Sequence, residues 1–252
     1  MELDNSPDLW MSEFPIPAHD GHKYDRGHTI VLGSDLYTGA TRLAAEAASR
    51  VGSGLVTVLS KTQSDIYRRT LPADIMVSEH DLSAVNRPSV LLAGSGGCNV
   101  EQAETVVNAS SDLVRVLDAD AIRLAGDVGS DAKIITPHAG EFARYFGSET
   151  PPADISKEIN AVIALKGPET QIVGPDGRLV INRVASPYLA KAGTGDVLAG
   201  LIAGLAAQGM PAFEAACAGV WLHGFAGQRI GPGLIPQDII SDLRPILRDL
   251  IG

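Results

Sequence analysis

The chain has 252 residues, of which 45% are hydrophobic and 5% aromatic, with 27 glycines and 15 prolines. This composition predicts a globular protein with an aliphatic core and many tight turns, and it excludes a disordered or fibrous chain. The formal net charge of −10 argues against a nucleic-acid-binding surface, which would need a basic stripe.

The cysteine content and the chain's apolar runs indicate an ordinary cytoplasmic protein. Two cysteines, Cys98 and Cys217, are too few for a disulfide framework or a Cys-x-x-Cys metal site, so we expect free thiols. The N-terminus has no apolar signal-peptide core. The longest apolar run, residues 197–207, is about half the length that a bilayer needs. We expect neither a membrane nor a nucleic-acid partner.

Short apolar strands alternate with helical patterns along most of the chain. Residues 1–20 are aperiodic and proline-rich, and we interpret them as a leader before one domain, residues 21–252. The alternation predicts a mostly parallel sheet with helices on both faces. The predicted strands are 29–33, 55–59, 75–77, 89–93, 113–117, 133–136 and 162–165. The predicted helices between them are 39–51, 100–110, 119–126 and 139–147.

The pattern changes at residues 171–182, where two short strands flank a Gly-Pro-Asp-Gly turn. This arrangement predicts an antiparallel hairpin. Only helices are predicted after it, over residues 195–208, 212–229 and 236–250.

The most informative segment is GTGDVLAGLIAGLAAQ, residues 193–208, in which a glycine turn opens an apolar helix. The unpaired N–H groups and the helix dipole make such a turn a site for an anion such as phosphate. A carboxylate there competes with phosphate for the same donors, which makes Asp196 a candidate proton acceptor. The alternative is that Asp196 is only the N-cap of the helix. Spacing alone leaves both interpretations open.

Four other segments follow predicted strands: residues 33–40, 94–97, 136–141 and 166–170. Ligands gather at the carboxyl ends of parallel strands. Each segment alone is weak evidence because glycines after strands are usually turns. Together with residues 193–196, they predict a large glycine-lined cleft.

The polar residues of these segments allow two interpretations. His138 and Glu141 either face the cleft, toward a ligand and a metal-bound water, or belong to an ordinary helix start with Glu141 solvated. Lys166 either contacts a phosphate or ribose or faces solvent. We interpret His223, on an apolar helix, as a core histidine.

These motifs resemble the NAD(P)H-hydrate dehydratase family, in its ADP-dependent bacterial branch, within the ribokinase-like superfamily. The resemblance covers about residues 20–230. Kinases of the superfamily typically have Asn-x-x-Glu where this chain has His138 and Glu141, so His138 distinguishes the two. The matching segments are HKYDRGH at 22–28, TGA at 38–40, GLVTV at 54–58, LDADAI at 117–122, TPHAGE at 136–141, KGPET at 166–170 and AGTGDVLAG at 192–200.

The resemblance implies an α/β fold, the ribokinase-like three-layer αβα sandwich with a mostly parallel central sheet. It also implies a repair reaction on the hydrated cofactors (6S)-NADHX and NADPHX. ADP, or ATP, with Mg²⁺ would phosphorylate the hydrate hydroxyl. Phosphate would then leave, which restores NADH or NADPH and releases AMP when ADP is the donor.

The resemblance also assigns roles to residues and suggests partners. Asp196 would be the catalytic base, and Glu141 would contact Mg²⁺ through water. The chain departs from the family at residues 94–98, where a Gly-Pro-Gly-rich loop is frequent, and at Lys191, where a small polar residue is usual. Relatives are commonly homo-oligomers, tetramers included, and a separate epimerase would interconvert the hydrate epimers. The nucleotide-binding residues would be Lys166, Gly167, Thr170, Gly193, Thr194 and Gly195, and the hydrate-binding residues Ala40, Gly96, His138 and Asp196.

Two other functions fit the same turn. One is a kinase of a small alcohol, similar to hydroxyethylthiazole kinase. The other is a nucleotide-binding protein without catalysis, against which Asp196 argues because a pure binder needs no base.

Overall fold

One sheet of ten strands organises the part of the chain that the computed structural model describes, residues 3–130 and 132–252. The strands are β1 (Leu3–Asp4), β2 (His28–Leu32), β3 (Leu55–Leu59), β4 (Met76–Ser78), β5 (Val90–Ala93), β6 (Val114–Leu117), β7 (Lys133–Ile135), β8 (Val162–Leu165), β9 (Thr170–Val173) and β10 (Leu179–Asn182). Their order across the sheet is β1-β10-β9-β8-β7-β6-β5-β2-β3-β4.

Nine of these strands run in one direction and β9 runs in the other. All neighbouring pairs are parallel except β8–β9 and β9–β10. The predicted hairpin at residues 171–182 is confirmed as β9–β10, with Leu179 opposite Val173. The parallel strands therefore all end at one edge of the sheet.

Helices cover both faces of the sheet, as the alternation of strands and helices predicted. The side chains of β2 show why, because Val31 packs into one core while Ile30 and Leu32 pack into the other. Helices α1, α2, α6, α7 and α8 lie over the first face, and α3, α4 and α5 over the second. The helices are α1 (Thr38–Arg50), α2 (Ser64–Thr70), α3 (Val100–Asn108), α4 (Ala139–Phe146), α5 (Pro152–Glu158), α6 (Thr194–Ala207), α7 (Ala212–Ile230) and α8 (Pro236–Ile251).

Some local predictions need correction. The predicted helix 119–126 is a 3-10 helix, Ala119–Leu124, entered through Ala119 at φ +46°. The short helices α2 and α5 have seven residues each, about two turns, which is too short for a clear helical period.

The N-terminal segment packs against the rest of the fold from Leu3, the first residue described. β1 pairs with β10, and Trp10 is 0% exposed. The Asn5 side chain donates to the Asn182 side chain at 2.9 Å and to the Cys217 carbonyl at 2.8 Å.

Both cysteines are free, and burial raises the pKa of Cys217 to about 12. Among the helices described, none is long and apolar enough to cross a bilayer.

Candidate functional site

The carboxyl ends of the parallel strands meet the N-terminus of α6 at one edge of the sheet. The loops after β2, β5, β6, β7 and β8 all reach this edge. We call the space that these loops surround the cleft; two cavities of about 470 and 490 Å³ lie away from it, beside Trp10 and Arg26 respectively. The polar chemistry, and not cavity volume, identifies the site.

The N-terminus of α6 is built around a left-handed glycine. Gly193 is the N-cap at φ +94°, and a Cβ there would meet the Leu43 side chain at 2.7 Å. The Thr194 hydroxyl donates to the carbonyls of Leu189 and Lys191 at 2.7 and 2.8 Å. Asp196 lies in the first turn of the helix, so its interpretation as the N-cap is wrong. The Thr194 N–H donates to the Lys191 carbonyl at 3.3 Å, so the N–H groups of Gly195 and Asp196 are the candidates for binding an anion at this helix start.

An ion pair joins the ends of β6 and β8 beneath this turn. The buried Asp118 carboxylate accepts from Lys166 Nζ at 2.9 Å and from the Thr136 hydroxyl at 2.7 Å. A Cβ on Gly195 would stand 3.5 Å from Lys166 Nζ, which places the ammonium against the first turn of α6. Burial by itself lowers the pKa of Lys166, but Asp118, Glu141 and Asp196 together raise it above its usual value. Lys166 is therefore a fixed cation at the anion-binding turn.

Asp196 has the pKa of a base that works near neutral pH. Burial, and then repulsion by Asp118, raises the pKa of Asp196 to about 6. The Ser95 hydroxyl and the charge of Lys166 act in the opposite direction. A carboxyl in this range exists in both protonation states under ordinary conditions, as a general base requires.

His138 and Glu141 form a capping box at the start of α4. The His138 Nδ1 accepts from the Glu141 N–H at 3.1 Å, and Glu141 Oε2 accepts from the His138 N–H at 2.8 Å. The Glu141 carboxylate also lies 4.0 Å from Lys166 Nζ. The His138 side chain is 59% exposed. Both residues thus stand at the edge of the sheet beside Lys166. The predicted helix start is confirmed, but Glu141 is bonded to the cap and only 16% exposed, so the expectation that it is merely solvated is wrong.

The loops after β2 and β5 are tied to each other. The Ser34 hydroxyl donates to the Gly96 carbonyl at 2.6 Å, and the Thr41 hydroxyl donates to the Ser95 carbonyl at 3.0 Å. Gly96 has φ +91°, and a Cβ there would meet the Tyr37 carbonyl at 2.6 Å. Ala40 is partly buried in the first turn of α1. Ala40 and Gly96 therefore line neighbouring parts of the cleft.

The turn after β8 is closed by its own residues. The Thr170 hydroxyl donates to the Gly167 carbonyl at 3.2 Å and accepts from the Gly167 N–H at 3.4 Å. Thr170 is 8% exposed. Its hydroxyl already has partners, so its present contribution is to shape the turn that follows Lys166.

His223 supports the helix turn from α7. Its Nε2 lies 3.0 Å from the Thr194 carbonyl, so this nitrogen carries the hydrogen. Burial lowers the pKa of His223 to about 4. The residue is a neutral, hydrogen-bonded histidine within the fold, as expected.

Sequence reasoning gave no role to Asp118 or Ser95, although both are central here. Asp118 directly follows β6 and Ser95 follows β5 after one glycine, so their place at strand ends was a usable signal. What the sequence lacked was the distances between these side chains, because Ser95, Asp118, Lys166 and Asp196 are far apart in the chain and meet only at the edge of the sheet.

No group of three or more His, Cys, Asp or Glu side chains among the described residues is arranged to hold a metal ion. The carboxylates of Asp118, Glu141 and Asp196 outnumber the single lysine among them. This excess of negative charge favours the binding of a cation whose ligands come mostly from a bound molecule and not from the protein.

Comparison with known proteins shows the family of the chain. The sequence model of the Carb_kinase family, described as NAD(P)H-hydrate dehydratase, matches residues 28–240. The chain is 34% identical to an ADP-dependent (S)-NAD(P)H-hydrate dehydratase of Xanthomonas campestris, over 92% of both chains. It is 32–34% identical to bifunctional NAD(P)H-hydrate repair enzymes, and it spans about half the length of these curated relatives.

Solved structures confirm the predicted fold. An ADP/ATP-dependent NAD(P)H-hydrate dehydratase from Bacillus subtilis, co-crystallised with ATP and Mg²⁺, superposes with a TM-score of 0.84 at 25% identity, covering 98% of both chains. A ribokinase-like superfamily protein from Enterococcus faecalis gives a TM-score of 0.86 at 24% identity, covering 99% of this chain and 96% of that one. The fold is the ribokinase-like αβα sandwich, and the chain belongs to the NAD(P)H-hydrate dehydratase family.

Proposed function

We propose that this protein repairs hydrated NADH and NADPH by a nucleotide-driven dehydration, with ADP as the phosphoryl donor. The observation that carries the proposal is the position of Asp196, a carboxyl with a pKa of about 6 in the first turn of α6. A helix N-terminus binds phosphate and a base removes a proton, and here the two functions meet in one turn.

The first step transfers the terminal phosphoryl group to the hydrate hydroxyl. Asp196 takes the hydroxyl proton, the hydroxyl oxygen bonds to phosphorus, and the bond from phosphorus to the AMP oxygen breaks. The N–H groups at the start of α6 and the Lys166 ammonium stabilise the negative charge of the phosphoryl group. Lys166 is held for this task by Asp118 at 2.9 Å.

The second step is elimination. Phosphate leaves with the electron pair of its carbon–oxygen bond, and a proton leaves the neighbouring ring carbon, so the double bond of the reduced nicotinamide returns. Phosphate is a much better leaving group than hydroxide, which is why nucleotide consumption drives the loss of water.

The Bacillus relative's co-crystals with ATP and Mg²⁺ support a nucleotide-bound Mg²⁺ here. The phosphates would supply most of its ligands, and Glu141 would contact it through water. Bound there, the ion would neutralise phosphate charge during transfer. Ala40, Gly96 and His138 would contact the hydrate, and Gly167, Thr170, Gly193 and Gly195 would shape the nucleotide side of the cleft.

The assay is direct. Chemically hydrated NADH is incubated with the protein, Mg²⁺ and either ADP or ATP, and the absorbance of the reduced nicotinamide is followed. We expect the absorbance of the reduced nicotinamide to recover only when a nucleotide is present. If the absorbance does not recover with either nucleotide, the proposal is wrong. Phosphorylation of a thiazole alcohol instead would favour the kinase alternative.

The Asp196→Asn variant tests the assignment of the base. Asparagine keeps the shape of the side chain but cannot accept the proton, so we expect turnover to fall about a hundredfold or more. Near-normal turnover would show that Asp196 is not the base. The wild-type pH profile should rise with pH through about 6 as Asp196 ionises.

Three further features of the protein belong to the same proposal. Residues 21–252 would act as one catalytic domain, the chain would assemble as a homo-oligomer, and a separate epimerase would interconvert the hydrate epimers. Light scattering coupled to gel filtration measures the assembly. Mixed hydrate epimers that stop at partial recovery until an epimerase is added would support the last point.

A further inference from the structure

Two large apolar side chains lie in water beside the candidate site. Leu36 and Tyr37, in the loop between β2 and α1, are 80% and 70% exposed. Among the described residues, no large hydrophobic side chain is more exposed than Leu36. Single exposed apolar residues are normal on a protein surface, whereas adjacent ones beside a cleft indicate a surface that another molecule covers.

The loop that carries these side chains is held firmly in place. The Ser34 hydroxyl accepts from the N–H groups of Leu36 and Tyr37, each at 3.1 Å. The same hydroxyl donates to the Gly96 carbonyl at 2.6 Å, and the Tyr67 hydroxyl donates to the Ser34 carbonyl at 2.8 Å. The polar groups of the loop therefore bond to the fold, and the two apolar side chains are left in solvent.

Helices α1 and α6 run parallel with their residues in register. A Cβ on Gly200 of α6 would stand 2.2 Å from the Ala44 carbonyl of α1. One turn further along, a Cβ on Gly204 would stand 2.6 Å from the Ala48 carbonyl. The two helices therefore advance together, and their N-termini lie at the same end.

This register brings Tyr37 to the turn that carries Asp196. One turn before the close contacts, Ala40 of α1 stands at the level of Asp196 of α6. The first turns are also in contact, since a Cβ on Gly193 would meet the Leu43 side chain at 2.7 Å. Tyr37 is the N-cap of α1, and its carbonyl accepts from the Ala40 N–H at 3.1 Å. Tyr37 therefore lies at the rim of the cleft, about one helical turn from the level of the proposed base.

The start of α1 leaves room for a flat group next to Tyr37. A Cβ on Gly39 would meet no atom of the described residues within 4 Å, so this turn borders open space. The site described above is built of charged groups, which suit phosphates and protons. The nicotinamide ring of the proposed substrate is instead flat and largely apolar, and binding sites for such rings offer apolar contact.

We propose that Tyr37 is a substrate-contacting residue whose ring packs against the nicotinamide ring of the hydrate, with Leu36 extending the same apolar surface. The inference rests on the proposed function, because it names the part of that substrate which Tyr37 contacts. Contact between the two rings removes apolar surface from water and stabilises the complex. The adenosine half of the dinucleotide is not needed for this contact.

The decisive experiment measures the binding of NADH and of its nicotinamide half, NMNH, through the fluorescence of the reduced ring, and needs no turnover. Tyr37→Ala should weaken the binding of both by about tenfold. Tyr37→Phe keeps the ring and should bind both as the wild type does. Ile16→Ala is the matched control, because Ile16 is 65% exposed but lies beside Arg26 and Gln208, past the other end of α6. Its affinities should equal those of the wild type.

Tyr37→Ser separates binding from stability. The Tyr37 side chain caps no N–H group of α1, and serine is a favoured N-cap. We expect Tyr37→Ser to be at least as stable as the wild type in urea and still to bind NADH about tenfold more weakly. It also replaces Tyr37→Ala if the alanine variant does not fold. Wild-type affinity for NADH and NMNH without the ring overturns the proposal.

Three other results would also overturn it. Weaker binding of NADH with unchanged binding of NMNH would place Tyr37 against the adenosine half. Loss of an assembled form in Tyr37→Ala, seen by light scattering, with unchanged affinities would mean that a second copy of the chain covers Tyr37. The third result is a wild type that binds neither NADH nor NMNH.

Kinetics distinguish this proposal from the proposed function. If the wild type repairs the hydrate, KM for the hydrate should rise about tenfold in Tyr37→Ala while kcat stays the same, because the contact serves binding and not the chemical step. An unchanged KM would contradict the contact but not the repair activity. A wild type that binds NADH and repairs no hydrate contradicts the proposed function, and the fluorescence titrations still decide the role of Tyr37.

Discussion

Asp196 shows how a functional residue works against the stability of its own fold. The carboxyl is partly buried near Asp118, and its pKa of about 6 is above the usual 3.8. Its protonated form therefore stabilises the native state, and this stability is complete below about pH 4 and lost as the pH rises through 6. At neutral pH the folded protein holds a charge that it would be more stable without.

The Asp196→Asn variant should accordingly be more stable than the wild type at pH 8. The upper limit is about 3 kcal/mol, from the shift of about two pH units, and partial exposure reduces it. Urea unfolding at several pH values measures the difference, which should vanish at pH 4. A variant that is equally stable or less stable at pH 8 would contradict the raised pKa.

His138 combines a structural contact with a place at the edge of the cleft. Its ring accepts from the Glu141 N–H and so caps α4, while most of the side chain is exposed beside Lys166. Asparagine is also a good N-cap but lacks the imidazole. The two roles can therefore be separated by substitution.

We expect His138→Ala to lower the free energy of unfolding by about 1 kcal/mol through loss of the cap, and His138→Asn to lower it by much less. If His138 contacts the hydrate, both variants should raise KM for the hydrate. Thermal unfolding and steady-state kinetics give the two readouts. Normal KM in both variants would restrict His138 to capping.

At the scale of elements, the packing of α6 on α1 holds the anion turn in place. Gly200 and Gly204 lie one turn apart on α6 and face Ala44 and Ala48 of α1. A Cβ on Gly200 would stand 2.2 Å from the Ala44 carbonyl, and one on Gly204 would stand 2.6 Å from the Ala48 carbonyl. The helices approach so closely that only glycine fits at these positions. Within residues 193–208, the small residues of the helix thus allow close packing on α1, while residues 193–196 form the candidate site.

Gly200→Ala should destabilise the protein by about 2–3 kcal/mol, because overpacking outweighs the higher helix propensity of alanine. Chemical denaturation measures the change. Gly126→Ala is the control, since a Cβ there would meet no atom within 4 Å. Equal stability of the two variants would contradict the close approach of α1 and α6.

At the scale of the whole molecule, the N-terminal segment contributes to the core. Trp10 packs against Phe14 and Trp221 with ring centroids 5.7 and 5.8 Å apart. Its indole nitrogen donates to Asn5 at 3.2 Å, and Asn5 in turn bonds to Asn182. The segment adds β1 as the outermost strand of the sheet, beside β10.

Trp10→Ala should lower the free energy of unfolding by about 3–5 kcal/mol through cavity formation. Leu9→Ala, at a neighbouring residue that is 37% exposed, should cost much less. Urea unfolding followed by circular dichroism compares them. A small effect of Trp10→Ala would mean that the segment is dispensable to the core.

Local patterns predicted much of the fold. Strands 55–59 and 162–165 were predicted at the residues where β3 and β8 lie, and the hairpin was found from its turn. These elements have strong local signals. The pairing of β1 with β10 joins residues far apart in the chain, so no local pattern could indicate it.

The sequence by itself determined the family, the alternation that makes the sheet, and the turn that carries Asp196, because each depends on neighbouring residues. Only the tertiary structure decided which side chains surround that carboxyl. Burial, Asp118, Lys166 and Ser95 set its pKa. Asp118, Lys166 and Ser95 follow three different strands whose ends the sheet brings to one edge, and electrostatic interaction depends on distance in space and not along the chain.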